Sequence, residues 1–557
     1  MKSNIEIAQE SQCSRIGDIA AKVGIDEADL VPFGRYAAKV PLSVLRRYDG
    51  RSNGKLVLVT AITPTQAGEG KTVTTIGLVQ ALGKLDKKVM GALRQPSLGP
   101  IFGIKGGATG GGYSQVYPMW DIDLHFTGDL HAVASAHNLL SAVLENHLNR
   151  ENDLNIDPTR IMLKKAIDMN CRELRSIVVG LGGRGDGGTP HESGFIITAA
   201  SEISAVLALA TSMEDLKLRL GRIIVAYTYD NKPVSAAKLG CVGAMAVLLK
   251  NAIHPNLVQT LEGEPVFIHG FPFANIAHGN NSIIATKYAL KLADIVVTES
   301  GFGADLGAEK FFDIVCRSNG FRPDCAVIVV SIRALKMHGG AQLAEIGNRD
   351  PIALRKGFSN LDKHIENIRK FGLPVVVSIN HFDSDRDEDI AMVRNHCKEL
   401  GVRCALSYVF SQGGPGGREL AEAVLDVLEN DKPQFRYLYD IDRPMKEKIK
   451  TIATEIYGAS EVVFEGEAER NIKLIESSGF GNLPICMAKT QLSITDNPKL
   501  KGAPQGWVLK VREVFVSAGA GFIVPVCGQM MLIPGLPAEP ASVKMDIDDN
   551  GRITGLN

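Results

Sequence analysis

Lys55-Leu56-Val57-Leu58-Val59-Thr60-Ala61-Ile62, followed by Thr65-Gln66-Ala67-Gly68-Glu69-Gly70-Lys71-Thr72, is the stretch whose reading decides the fold. The first segment is a short apolar run rich in branched side chains, as expected of a parallel strand buried on both faces. The second is a loop with two glycines that ends in Gly-Lys-Thr. Beyond it, Val73, Ile76, Leu78, Val79, Leu82 and Leu85 recur at helical spacing. A strand, a glycine loop and a helix in that order direct backbone N–H groups and a helix N-terminus at one point, where an anion is stabilised, and Lys71 adds a positive charge there. Gly68 and Gly70 let the backbone approach phosphates closely. Thr72 offers its hydroxyl to a magnesium ion. Thr65 stands where the first glycine of the phosphate-loop motif is usual. A plain strand-to-helix turn could also contain Gly-Lys-Thr, but the flanking strand and helix favour nucleotide binding.

Further apolar runs repeat the pattern of the first strand. Lys88 to Arg94, Pro265 to His269, Asp294 to Glu299, Ala326 to Ser331 and Pro374 to Ile379 each read as a strand. Each delivers polar, glycine or aromatic residues at its C-terminal end: Arg94, Gly270-Phe271, Ser300-Gly301-Phe302, Ile332-Arg333, and Asn380-His381-Phe382. This predicts an α/β protein with one large parallel sheet and a ligand site along its carboxyl edge. The 557 residues are too many for a single core. The expected division is a large phosphate-loop nucleotide-binding domain over 1–370, with 150–220 as an inserted subdomain. A second α/β domain over 371–455 is expected to contribute to the ligand site, and a C-terminal α/β domain covers 456–557.

Composition narrows the function classes. Hydrophobic residues make up 45% and charged residues 22%, as in ordinary globular proteins. A net charge of -1 argues against a broad nucleic-acid or membrane surface. The N-terminus is polar, and no apolar run is long enough to span a bilayer, so a cytoplasmic protein is expected. The nine cysteines are scattered without a Cys-x-x-Cys pair and read as free thiols.

Residues 99 to 117 hold so many glycines that neither a stable helix nor a strand is expected. Ile101, Phe102, Ile104 and Tyr113 are anchors that a flexible linker would lack. A loop wrapping phosphates and substrate is therefore the preferred reading, with Lys105 as a charge. Asp121, Asp123, His125 and Asp129 gather carboxylates and an imidazole before a helix over 131–148.

Two stretches resemble a known family over essentially the whole chain: Gly103-Ile104-Lys105-Gly106-Gly107-Ala108-Thr109-Gly110-Gly111-Gly112-Tyr113 and Val330-Ser331-Ile332-Arg333-Ala334-Leu335-Lys336-Met337-His338-Gly339-Gly340. Supporting stretches are Arg94 to Pro100, His125 to Asp129, Pro272 to Gly279 and Gly301 to Gly307. The sequence closely resembles formate–tetrahydrofolate ligase, also called formyltetrahydrofolate synthetase. The resemblance implies a ligase that makes 10-formyltetrahydrofolate from formate, tetrahydrofolate and MgATP through formyl phosphate. It also implies a homotetramer activated by a monovalent cation, potassium or ammonium. By the same resemblance Lys71 and the loop residues Thr65, Gln66, Ala67, Gly68, Glu69, Gly70 and Thr72 hold ATP, with magnesium on Thr72. Arg94 lies on the formyl phosphate, where a planar guanidinium forks onto an anion. Asp129 lies close to the reacting centre, helping the proton leave N10 or orienting the folate. Phe302, Phe382 and Phe410 stack on the pterin.

The sequence departs from the family pattern near the site. Gln66, Val73, Gln95, Trp120, His191, Ile196, Phe271, Asn280, Phe410 and Pro415 replace proline, threonine, glutamate, glutamate, arginine, aspartate, glycine, cysteine, tryptophan and glutamate, respectively. Two readings follow. One is the ligase itself. The other is a family relative with an altered acid or pterin substrate, or one that binds ATP with weak activity or none.

Overall fold

The computed structural model describes residues 2–103, 109–528 and 530–556. Among them, twelve strands build the main sheet. In chain order these are β1 (Val31–Phe33), β2 (Ala37–Lys39), β3 (Lys55–Ala61), β4 (Val89–Leu93), β5 (Gly110–Gly111), β6 (Ser114–Tyr117), β7 (Asn256–Thr260), β8 (Pro265–Ile268), β9 (Ile295–Glu299), β10 (Cys325–Val330), β11 (Val375–Asn380) and β12 (Arg403–Ser407). They lie in the order β1-β2-β7-β8-β4-β9-β3-β10-β11-β12, with β6 beside β7 and β5 beside β6. Every neighbouring pair from β8 to β12 is parallel. The carboxyl ends of these strands therefore share one edge, as the repeated strand pattern predicts.

The phosphate-loop strand β3 is central. Val57 is in register with Val297 of β9 on one side and Cys325 of β10 on the other. Alternate side chains of β3 serve opposite layers. Val57 and Val59 pack with Leu78 and Val79 of α1 (Lys71–Lys84) and with Leu420 and Val424 of a helix over Arg418–Asn430. Leu56 and Leu58 join the larger cluster with Leu361 and Ile365 of the helix Pro351–Lys370. Cover on both faces explains why these strands are apolar throughout rather than alternating.

One expectation needs correction. The glycine-rich stretch is not without regular structure among its described residues: Leu98–Phe102 is a short helix, and β5 and β6 form an antiparallel hairpin. Glycine makes the hairpin possible. Gly112 has φ +57°, and a Cβ there would lie 1.9 Å from the Phe410 carbonyl oxygen. Lys105 lies outside the described residues. As the strand pattern predicts, β11 lies in the central sheet, and β12 extends it.

Small sheets surround the large one. Lys165–Ile167 pairs with Phe195–Ile197, and Ile177–Val179 with His191–Ser193. Ile224–Thr228 lies between Ile156–Ile161 and Pro233–Ser235. Toward the C-terminus, Glu461–Phe464 pairs with Val508–Val511, and Glu513–Ser517 with Phe522–Val526. All nine cysteines are free. Among the described residues, no helix is long and apolar enough to cross a membrane.

Candidate active site

The phosphate loop runs from the carboxyl end of β3 to the N-terminus of α1. Gly70 precedes α1 with φ +80°, and a Cβ at that position would lie 2.1 Å from the Asn380 side-chain nitrogen. Only glycine fits, both by conformation and by space. Within the loop the Thr65 N–H and hydroxyl both donate to Glu69 Oε1, at 2.7 and 3.0 Å. The Ala67 N–H donates to the Thr65 hydroxyl at 3.2 Å. The threonine in the first-glycine position thus ties the loop to its own glutamate. The Ser331 hydroxyl, at the end of β10, donates to the Gly68 carbonyl at 3.2 Å. Gln66 is exposed at the tip.

Neighbouring strand ends supply the remaining groups. Lys71 Nζ donates to the Phe302 carbonyl at 3.3 Å. Phe302 adopts φ +59°, a strained conformation for a bulky residue. The strain turns its backbone toward Lys71. The Thr72 hydroxyl donates to Glu299 Oε2 at 2.9 Å, and Glu299 is buried as the last residue of β9. Oxygen donors of this kind suit magnesium.

Glu299 escaped the sequence reading. Its only signal was a carboxylate ending an apolar strand, since nothing in the chain order shows that β9 lies against β3.

Arg94 follows β4. Its Nη1 donates to the Pro272 carbonyl at 3.4 Å, and its Nε is buried without a partner. No carboxylate among the described residues forms an ion pair with it. Burial lowers its pKa and the nearby Glu299 carboxylate raises it. A partly enclosed guanidinium with unused donors is prepared for a planar anion.

Asp129 begins the helix Asp129–Asn149 and is fully engaged. Lys39 Nζ lies 2.8 Å from one carboxylate oxygen and 3.0 Å from the other, which also accepts from the Asn256 amide at 2.9 Å. Lys39 and Asp129 are both buried, so this is a closed ion pair on the antiparallel side of the sheet.

The aromatic residues have different neighbours. Phe382 follows β11 and carries the Arg333 guanidinium 4.2 Å over its ring. Phe410 follows β12, is 38% exposed, and accepts at its carbonyl the Tyr113 N–H at 2.8 Å. It therefore sits against the tip of the β5–β6 hairpin. The structure joins Lys71 to Phe302 and Thr72 to Glu299 directly. Phe382 and Phe410 follow the adjoining strands β11 and β12.

The positions that depart from the family pattern divide by environment. Gln95 is buried with both amide atoms unpartnered. Asn280 is buried and donates to the His278 carbonyl at 3.1 Å. His191 lies 3.5 Å from Glu145. Phe271 and Ile196 are buried. Trp120 packs edge-on against Tyr117. Pro415 is exposed in a short turn.

The family model described as formate–tetrahydrofolate ligase matches residues 2–557.

Proposed function

Because this chain belongs to the formate–tetrahydrofolate ligase family and so ligates formate to tetrahydrofolate with ATP, we propose that the phosphate loop, Glu299 and Arg94 form the centre where the acid is activated. The loop amides and Lys71 hold the β- and γ-phosphates. Thr72 and Glu299 would hold magnesium, which would neutralise phosphate charge. A formate oxygen attacks the γ-phosphorus and the bond to the β-phosphate oxygen breaks, giving formyl phosphate and ADP. Arg94 forks onto the new acyl phosphate and keeps it in place. Folate N10 then attacks the formyl carbon, phosphate departs, and N10 loses its proton.

Of the two roles the resemblance leaves to Asp129, orientation is favoured, because both of its oxygens are already occupied. Phe302, Phe382 and Phe410 are assigned to the pterin, with the strand ends of 371–455 as part of its site. From the resemblance we also infer a cytoplasmic homotetramer activated by potassium or ammonium. Light scattering, and turnover in potassium against tetramethylammonium, test the last two.

The observation that carries the reading is the unpaired Arg94 guanidinium beside the phosphate loop. Arg94→Lys keeps the charge and loses the fork. Formyltetrahydrofolate synthesis is expected to fall by at least about 100-fold, the scale of one lost transition-state contact, with ATP affinity unchanged. Unchanged turnover, or an equal loss of ATP binding, overturns the role.

A further inference from the structure

Lys310 is fully buried, yet no carboxylate among the described residues forms an ion pair with it. Its ammonium donates to two backbone carbonyls of one loop, Ala274 at 2.6 Å and Ala277 at 3.2 Å. The neighbouring Glu309 does not neutralise it. Glu309 is also fully buried, its carboxylate oxygens have no hydrogen-bond partner, and burial together with Asp313 raises its pKa well above the usual carboxylate range. A buried ammonium held by two carbonyls and the Cys486 thiol, with no carboxylate in an ion pair, is costly, so its placement calls for a reason.

The loop it grips gives that reason. Pro272, in the same loop, accepts from Arg94 Nη1 at 3.4 Å. Gly279, at the loop's far end, accepts the Gly301 N–H at 3.0 Å. A Cβ at Gly301 would lie 2.5 Å from the Ala274 Cβ and 3.2 Å from Arg94 Nη1. Phe302, whose carbonyl takes the Lys71 ammonium, is the next residue. The loop over 272–279 is thus wedged between Lys310 on one side and Arg94 and Gly301 on the other. Lys310 itself lies between two wide helical turns, Ala304–Ala308 and Phe311–Cys316. Such turns carry an extra residue relative to a regular helix and recur at functional sites.

We propose that Lys310 is a positioning residue for the acid-activation step, fixing the 272–279 loop so that Arg94 is aimed at formate and the acyl phosphate. The inference rests on the assignment of Arg94 to that anion. Lys310 touches no substrate and acts through the loop.

The test uses the full chain with Lys310→Met, Lys310→Arg and, in parallel, Arg94→Lys. Lys310→Met removes both hydrogen bonds at similar length, whereas Lys310→Arg keeps donors for the two carbonyls. Lys310→Met should raise the KM for formate or lower kcat by about tenfold, in keeping with the loss of hydrogen bonds from a charged donor. MgATP affinity, measured by calorimetry, should stay within about twofold, and Lys310→Arg should recover most of the loss. A purely structural role would instead move formate and ATP parameters together with stability.

Unchanged formate kinetics in folded Lys310→Met, or parallel loss of ATP affinity, overturns the proposal. If Lys310→Met does not fold, Lys310→Gln is measured against the same criteria, and loss of fold in both variants also overturns it. Arg94→Lys separates the two levels. If it keeps full activity, the reading of the site fails. If it loses activity while Lys310→Met does not, only the role of Lys310 fails.

Discussion

Glu299 shows how a single side chain completes the phosphate loop. Its carboxylate accepts from the Thr72 hydroxyl at 2.9 Å and lies near Arg94, so one acid faces the hydroxyl proposed for magnesium while its charge favours the Arg94 cation. Removing its charge should weaken the hold on magnesium and leave the nucleotide contacts of Lys71 and the loop amides in place. Glu299→Gln is therefore expected to raise the magnesium concentration needed for half-maximal turnover by about tenfold, equivalent to about 1.4 kcal/mol. Its affinity for ATP without metal should be unchanged or improved. A magnesium titration of turnover, set beside ATP binding in a chelator, measures both. An unchanged magnesium requirement would remove Glu299 from the site. His338 illustrates a quieter residue-scale device. Its Nε2 meets the Thr63 carbonyl at 2.8 Å, and its Nδ1 lies 3.3 Å from the Gly502 N–H. One nitrogen must donate and the other accept, so the ring is held neutral, and burial lowers its pKa to about 4.

At the scale of elements, the β5–β6 hairpin and the turn carrying Phe410 form one wall. The hairpin tip is glycine because Phe410 approaches it too closely for a side chain, with the ring 3.1 Å from a Cβ at Gly111. Phe410 is 38% exposed, which leaves solvent-facing room for a larger aromatic residue. An indole offers more stacking surface than a phenyl ring. Phe410→Trp is expected to tighten tetrahydrofolate binding by up to about tenfold, about 1.4 kcal/mol. Phe382→Ala should weaken it by at least as much, since it removes one ring and frees Arg333 from its stack. Folate titrations of the wild type and both variants check this, and unchanged affinities would move the pterin elsewhere. Phe382 was legible in the sequence as an aromatic residue after an apolar strand, whereas Phe410 came from the family resemblance. The hairpin was not legible, because glycine lowers the propensity for every regular element and only contact with Phe410 selects this one.

At the scale of the whole molecule, the C-terminal segment is tied to the site by a buried charge. Lys489 Nζ lies 2.9 Å from Asp305, both essentially without exposure, and it also sits 4.8 Å over the Tyr457 ring. Removing one partner leaves the other uncompensated in the interior, and about 3–5 kcal/mol of stability is at stake. Lys489→Met should lower the urea midpoint accordingly, and adding Asp305→Leu should restore part of the loss. Equal stability of Lys489→Met and wild type would show that the pair carries no weight. Asp305 lies in the wide helical turn that precedes Lys310, so this contact reaches the residue that holds the 272–279 loop. The sequence by itself determined the parallel α/β class, the phosphate loop with Lys71 and Thr72, and the delivery of Arg94, Phe302 and Phe382 at strand ends. Those features are local: side-chain period, glycine punctuation and the order of strand, loop and helix. Only the tertiary structure decided that Glu299 faces Thr72, that Asp129 is closed by Lys39, that β12 extends the central sheet, and that Lys310 grips the loop beside Arg94. Each of these depends on which strands become neighbours, and hydrogen bonding between residues far apart in the chain decides that, not the residues beside them.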